Sequence, residues 1–360
     1  MASCVRHRRS RWRVGFVALL LAGSALVSPV PASQAHTCTP DSNVGVSGRL
    51  IVPRASGLAV VGLPDRVVRP LHIPPSQGVA TGVATSRDGS LLAVPRFWRP
   101  PDHKVGGQDI LLVDPSGGAP VATFDRGQPG EVLGSPVWLP DGSLVYERRI
   151  LSGSNEAVRI ERSRPGQSGQ ILAENAFWPG VSPDGALLAM VRFSGTDRLI
   201  VRPLEGGPEQ VLVDRPQLLS IAFPRFSPDG SWIAFTAASD PGIIPGAGAG
   251  PEARPMVRGD SMRTPFWDLR LPGAVSSYLR PVTAYAHGVP WDVWIVRSDG
   301  SELRQLTSFF DDDSSVAWSP DGRWLATFSA EAIHVVSFED PGQTYCVTNE
   351  GGYGAVEWLP

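Results

Sequence analysis

The sequence predicts an all-β chain folded as a six-bladed β-propeller with four-stranded blades, closed by one blade shared between the two chain ends. Three observations predict it. A turn of the form Ser-Pro-Asp-Gly, flanked by apolar residues, recurs along the chain. Each copy is followed by two more short strand-like segments, giving units of about 40–45 residues, the length of a four-stranded blade. The two ends hold complementary parts of one further unit. A sandwich also uses many short strands, but it does not need self-similar units.

Residues 1–35 stand outside this pattern. Arg6, Arg8, Arg9, Arg11 and Arg13 precede the apolar run 14–27, and small residues follow, with cleavage expected after Ala32 or Ala35. That order reads as a secretory signal peptide. The apolar run falls short of the roughly 20 residues of a membrane span. Ser24 stands where a lipoprotein box would need Cys, and the residues after Arg8-Arg9 fit a twin-arginine signal poorly. The domain expected to remain is 36–360, secreted or periplasmic, without a membrane span. The chain has 32 basic and 35 acidic residues, so loss of five arginines leaves a net charge of −8. Nucleic-acid binders carry a basic face, so that class is excluded.

The turns come next in chain order: Ser86-Arg87-Asp88-Gly89, Leu139-Pro140-Asp141-Gly142, Ser182-Pro183-Asp184-Gly185, Ser227-Pro228-Asp229-Gly230 and Ser319-Pro320-Asp321-Gly322. Pro presets the second position of a type I turn, and Gly accepts the left-handed geometry that follows. Each turn therefore joins a first and a second strand. Third strands are expected at 110–114, 157–162, 199–203, 292–297 and 332–338. Fourth strands are expected at 120–124, 170–173, 210–213, 303–307 and 344–348. The turn aspartates step by 53, 43, 45 and 92 residues. The long step is one blade carrying a Pro/Gly-rich insertion at 239–290, after which Asp292-Val293-Trp294-Ile295-Val296 resumes the blade.

The ends complete the count. Ala355-Val356-Glu357-Trp358-Leu359-Pro360 stops where Asp-Gly would come next, and Gly48-Arg49-Leu50-Ile51-Val52 reads as its continuation, followed by strands at 58–63 and 67–73. One C-terminal strand and three N-terminal strands make the sixth blade, and their pairing removes an open edge. Cys4 leaves with the signal segment. Cys346 lies on the outermost strand of the last whole blade and Cys38 just before the N-terminal strands, so ring closure predicts a Cys38–Cys346 disulfide. Closing a loop of about 300 residues this way is expected to contribute ~4–5 kcal/mol net.

The Ser-Pro-Asp-Gly hairpins, their Leu/Ile-Ala-Phe strands, and the run from Asp292 through Ser298-Asp299-Gly300 to Leu306-Thr307 resemble the WD40-like propeller repeats of the TolB family. The resemblance covers roughly 45–360. It implies a propeller used for protein binding in the bacterial periplasm, or the propeller part of a larger serine peptidase. The chain as given shows no N-terminal α/β domain of the TolB kind and no peptidase domain after Pro360.

Chemistry-bearing motifs are sparse. No Gly-x-Ser-x-Gly elbow occurs, and His36, His72, His103, His287 and His334 fall in no zinc-type spacing. His334 sits in an apolar strand and reads as a packed residue. Two candidate features remain. Asp311, Asp312, Asp313, Glu131, Glu174 and Glu350 precede innermost strands, so they fall near one mouth of the central channel. There they could hold Ca²⁺ or attract a basic peptide; otherwise they are solvated loop charges. The insertion gathers Phe266, Trp267, Tyr278, Tyr285 and His287, with Trp291 just beyond it, and aromatics are favoured at binding hot spots. Arg258-Gly259-Asp260 is a tripeptide common by chance. The expected function is an exported, monomeric, non-enzymatic scaffold for a protein, peptide or other ligand, without a required cofactor. The alternative is a lactonase-like hydrolase or lyase with a metal or acidic site at the channel.

Overall fold

Each repeated turn closes through its own side chains. In the second whole copy with proline, Gly185 N donates to Ser182 O at 2.8 Å. Ser182 Oγ donates to Asp184 Oδ1 at 2.5 Å and accepts from Leu187 N at 2.9 Å. Gly185 holds φ of 76°, the left-handed region that a side chain would disfavour. The same bonds recur at Ser86–Asp88, Ser227–Asp229 and Ser319–Asp321, so one local chemistry sets the four hairpins whose turn begins with serine.

The computed structural model describes residues 38–359, apart from 55–56, 74–77, 103, 153–154, 240–290 and 310. The N-terminal segment read as a signal peptide and nearly all of the insertion therefore lie outside the described residues. The first blade contains β1 (Arg49–Arg54), β2 (Gly57–Gly62) and β3 (Val68–Leu71). The second contains β4 (Val79–Ala80), β5 (Ala84–Thr85), β6 (Leu92–Trp98), β7 (Gly107–Val113) and β8 (Ala122–Phe124). Here β4 and β5 are two pieces of one inner strand, both paired with β6. The third has β9 (Glu131–Trp138), β10 (Leu144–Ser152), β11 (Asn155–Ser163) and β12 (Gln170–Glu174); the fourth has β13 (Ala176–Val181), β14 (Leu187–Phe193), β15 (Asp197–Pro203) and β16 (Gln210–Val213). The fifth has β17 (Leu218–Phe226), β18 (Trp232–Ser239), β19 (Trp291–Arg297) and β20 (Arg304–Gln305); the sixth has β21 (Ser315–Trp318), β22 (Trp324–Phe328), β23 (Ile333–Ser337) and β24 (Thr344–Thr348). Finally β25 (Glu357–Leu359) joins the first blade, giving the order β25-β1-β2-β3.

The expected strands are present with shifted ends. The fourth strand expected at 303–307 shortens to β20, because Leu306 N and Thr307 N both donate to Val293 O and Thr307 Oγ1 turns toward Asp292. The insertion starts one residue later than read, since β18 runs through Ser239.

Blades two and three touch in one sheet only through the parallel pair Gln108–Val132. Everywhere else the blades meet by packing, and the core lies between them. Buried apolar clusters join blades two and three, three and four, four and five, and five and six. Two more join blade six to the shared blade and the shared blade to blade two. Six interfaces in cyclic order close a ring among the described residues, as the repeat count requires. The closing ladder pairs Arg49 with Leu359, Leu50 with Trp358 and Ile51 with Glu357. Cys38 and Cys346 form the expected disulfide, with Cα atoms 5.9 Å apart. Asp41 reinforces it: its N–H donates to Cys346 O at 2.9 Å, and its carboxylate accepts from Cys346 N at 2.7 Å.

Candidate functional site

Topology separates the two mouths of the channel. The Ser-Pro-Asp-Gly turns join first to second strands at one end. The insertion joins β18 to β19 at the other end, and 311–313 lead into β21 at that same end. At the turn end the blades are drawn together. A Cβ on Gly185 would lie 2.9 Å from Pro140 Cδ, and Gly230 and Gly322 stand similarly against Pro183 and Pro228. Arg87, which replaces the turn proline in blade two, reaches past blade three to donate to Pro183 O at 3.1 Å. The turn end is tied across by its own residues.

The insertion end carries buried charge. Asp292 is 1 % exposed and accepts from Thr307 Oγ1 at 3.0 Å and Phe309 N at 2.7 Å. Asp311 and Asp313 are also buried, and Asp311 Oδ1, Asp313 Oδ2 and Ser314 Oγ have no hydrogen-bond partner. Asp312 is half-buried and its N–H donates to Glu331 Oε2 at 3.1 Å. Burial, then the charges of Glu331 and Asp292, push the Asp311 carboxyl up to about 7. Burial, then Asp312 and Glu331, do the same for Asp313. These carboxylates gather where blade five meets blade six and do not converge: among the described residues, no three acidic oxygens there lie within 4.8 Å of one another. Of the other acids read from the sequence, Glu131 is buried in an ion pair with Arg148 at 2.6 Å, and Glu174 and Glu350 are exposed.

Beside the acids stands an aromatic cluster. Trp291 N donates to Asp311 O at 2.9 Å, and its indole is buried with Ala222, Phe223, Ala238 and Ala355. Trp178 packs on Phe223, ring centroids 4.4 Å apart. Trp178 N donates to Glu147 Oε2 at 2.8 Å, Glu147 pairs with Arg149, and the Arg149 guanidinium lies 5.9 Å from the Trp178 ring. Trp178 and Phe223 hold φ of 52° and 51°, each at a bulge in the innermost strand. For bulky residues such geometry costs on the order of 1–3 kcal/mol and clusters at functional sites.

Sequence reasoning placed Trp291 and Asp311–Asp313 on this face and missed Trp178 and Phe223. A signal existed. Ser135-Pro136, Trp178-Pro179 and Phe223-Pro224 stand at the same distance before the turn in three successive repeats, and each residue before Pro takes positive φ. Trp267, Tyr278, Tyr285 and His287 lie outside the described residues. His334 is 2 % exposed with its ring 4.4 Å from that of Phe309, as a packed residue should be. Deeper in the channel, Glu357 on β25 is pushed up to about 7 by burial, which the charge of Arg225 only partly offsets.

These groups give stability a pH optimum. Asp311, Asp313 and Glu357 keep protons up to about pH 7 in the fold but release them near pH 4 when unfolded. The native state then binds more protons, so stability falls as pH rises from about 4 to about 7. The turn aspartates act oppositely. Hydrogen bonds from Ser86 and Ser90 hold Asp88 at about 2, and Ser182 and Ser227 lower Asp184 and Asp229. Their contribution is present above about pH 4 and lost on acidification. Urea unfolding is expected to show maximal stability in the mildly acidic range. Asp313→Asn, which keeps a residue tolerant of the left-handed backbone, is expected to gain on the wild type at pH 8 and match it near pH 4. A wild-type stability that climbs steadily to pH 8 would contradict this.

Comparison with known proteins agrees with the geometry. The WD40 family pattern (WD domain, G-beta repeat) matches residues 305–331, which run from β20 through β22. A curated relative, the uncharacterized peptidase YuxL of Bacillus subtilis, is 30% identical over 222 residues, 58% of this chain and 31% of its own length. The chain thus spans about a third of that relative. TolB from Acinetobacter baumannii superposes with TM-score 0.55 at 15% identity, over 87% of this chain and 67% of that one. A chain of the nidogen/laminin complex gives 0.56 at 12% identity, over 87% and 98%. In fold the chain is a TolB-like, WD40-like β-propeller. No helix among the described residues is long and apolar enough to cross a membrane.

Proposed function

We propose that this propeller is an exported, non-enzymatic scaffold whose insertion-bearing face binds a protein or peptide partner. One observation carries the reading: the topology brings the acidic loop, the strained aromatic pair and both ends of the insertion to one mouth, with Trp291 N bonded to Asp311 O. The acidic loop, in which Asp311 Oδ1 and Asp313 Oδ2 accept no hydrogen bond, favours a cationic group from outside, and rigid aromatics supply contact area at low entropic cost. The disulfide supports an oxidising compartment outside the cytosol, in keeping with the arginine-led N-terminus.

The test uses immobilised domain 36–360 and the envelope and secreted fractions of its own source. Two variants are compared with wild type: Asp312→Arg, and a chain lacking the insertion. A partner captured by wild type and lost by both, with unchanged thermal stability, is the expected result. A partner held equally by both variants would remove this face from the site.

A further inference from the structure

Cys346 on β24 lies opposite His334 on β23, and Cys38 reaches the same place from the segment ahead of β1. Both Sγ atoms and a ring nitrogen of His334 lie within 4.8 Å of one another. Phe309 rests on the imidazole and fixes its plane. Linear spacing hides this set, since strand register and ring closure bring the three residues together from distant positions.

Two thiolates and an imidazole are the donors that zinc and softer cations select. Around Zn²⁺, bonds of about 2.3 Å to sulfur and 2.0–2.1 Å to nitrogen place donors roughly 3.3–3.8 Å apart. Bonded sulfurs lie about 2 Å apart, so cutting the Cys38–Cys346 bond must let the two Sγ atoms separate to that spacing beside the His334 ring nitrogen. In the oxidised chain it is closed, because only a thiolate is a ligand. We propose that Cys38, Cys346 and His334 form a latent site for a thiophilic divalent cation, unmasked by a dithiol reductant. In the unmasking step the dithiol passes two electrons and two protons to the Cys38–Cys346 bond and closes to its own disulfide. Both protein thiols then give up their protons as the cation binds, and water takes the fourth position.

The donors stay together once the bond is cut. Asp41 still grips the Cys346 backbone through two hydrogen bonds. Val44 and Val46 are buried between blade six and the shared blade, which holds the Cys38 segment in place. The ring itself closes through β1 and β25 without help from the disulfide.

The test titrates Cd²⁺ into the oxidised domain and into the domain reduced with dithiothreitol and desalted without air. Thiolate-to-cadmium charge-transfer absorption reports ligation. One Cd²⁺ per reduced chain and none with that absorption in the oxidised chain are expected, with Zn²⁺ displacing it. Cys38→Ser should abolish the signal, and His334→Gln should weaken affinity by at least about tenfold. The cadmium NMR shift of the wild-type complex separates two-sulfur-one-nitrogen from two-sulfur ligation without any substitution. Equal Cd²⁺ binding by both redox forms would overturn the proposal, as would a shift without nitrogen. Loss of the near-UV circular dichroism on reduction alone would also overturn it, because the disulfide itself would then be what holds the donors together.

Discussion

Trp358→Ala is expected to lower stability by about 3–5 kcal/mol, the usual cost of truncating a buried large aromatic. The β25 ladder has only three residue pairs, too few hydrogen bonds to hold a chain end on their own. The anchor is the indole, 5 % exposed in the cluster that joins Leu50, Val52 and Val61 of the shared blade to Phe328 and Val335 of blade six. Gly48 shows how closely the closure is fitted: it holds φ of 119°, and a Cβ there would lie 2.5 Å from Trp358 Nε1. Phe235→Ala provides the comparison. Phe235 is fully buried between blades four and five, so it leaves a cavity of the same class without touching the closure. Both variants should lose similar free energy in urea. Only Trp358→Ala should also expose the β1 amides to hydrogen exchange well below the global unfolding free energy. A loss under about 1 kcal/mol at Trp358 would mean the ring is held shut elsewhere.

What the sequence made legible follows from the range of the forces involved. The turns were readable because Ser182, Asp184 and Gly185 satisfy one another within a few residues. Strands such as Gln210–Val213 and Thr344–Thr348 were readable because each falls at the fourth-strand place of its repeat, counted on from the turn. The closure was readable because its two halves were each incomplete. The site was less so. A run of three aspartates reads as solvated loop, and only packing against neighbouring elements buries Asp311 and Asp313. Inner-strand contacts come from residues one blade away or more, as where Trp318 Nε1 donates to Arg225 O at 3.0 Å. The pairing of Trp178 with Phe223 depends on bulges that no single repeat specifies, although the recurring prolines mark where they fall.

Reduction of Cys38–Cys346 is the other change with a large expected effect. The bond spans a sequence separation of 308, and the chain-entropy relation for so long a loop gives about 5–6 kcal/mol. Residual structure in the unfolded chain takes back part of that, so a loss of about 4–5 kcal/mol is expected between oxidised and reduced protein in urea. The native state should change little, because Asp41 and the β1–β25 ladder remain. The effect therefore belongs to the unfolded state. It should appear as a shift in midpoint and a larger urea slope on reduction, since a cut chain expands further when unfolded. The two closures are also coupled. With the disulfide intact, an opened β25 remains close to β1 through the tether, so Trp358→Ala should be tolerated. In reduced protein the same substitution adds its 3–5 kcal/mol to the lost tether, and together they approach the whole stability of an ordinary domain. The reduced Trp358→Ala chain is expected to be unfolded at 37 °C. If it stays folded, the bridge and the last strand do not share the work of closing the ring.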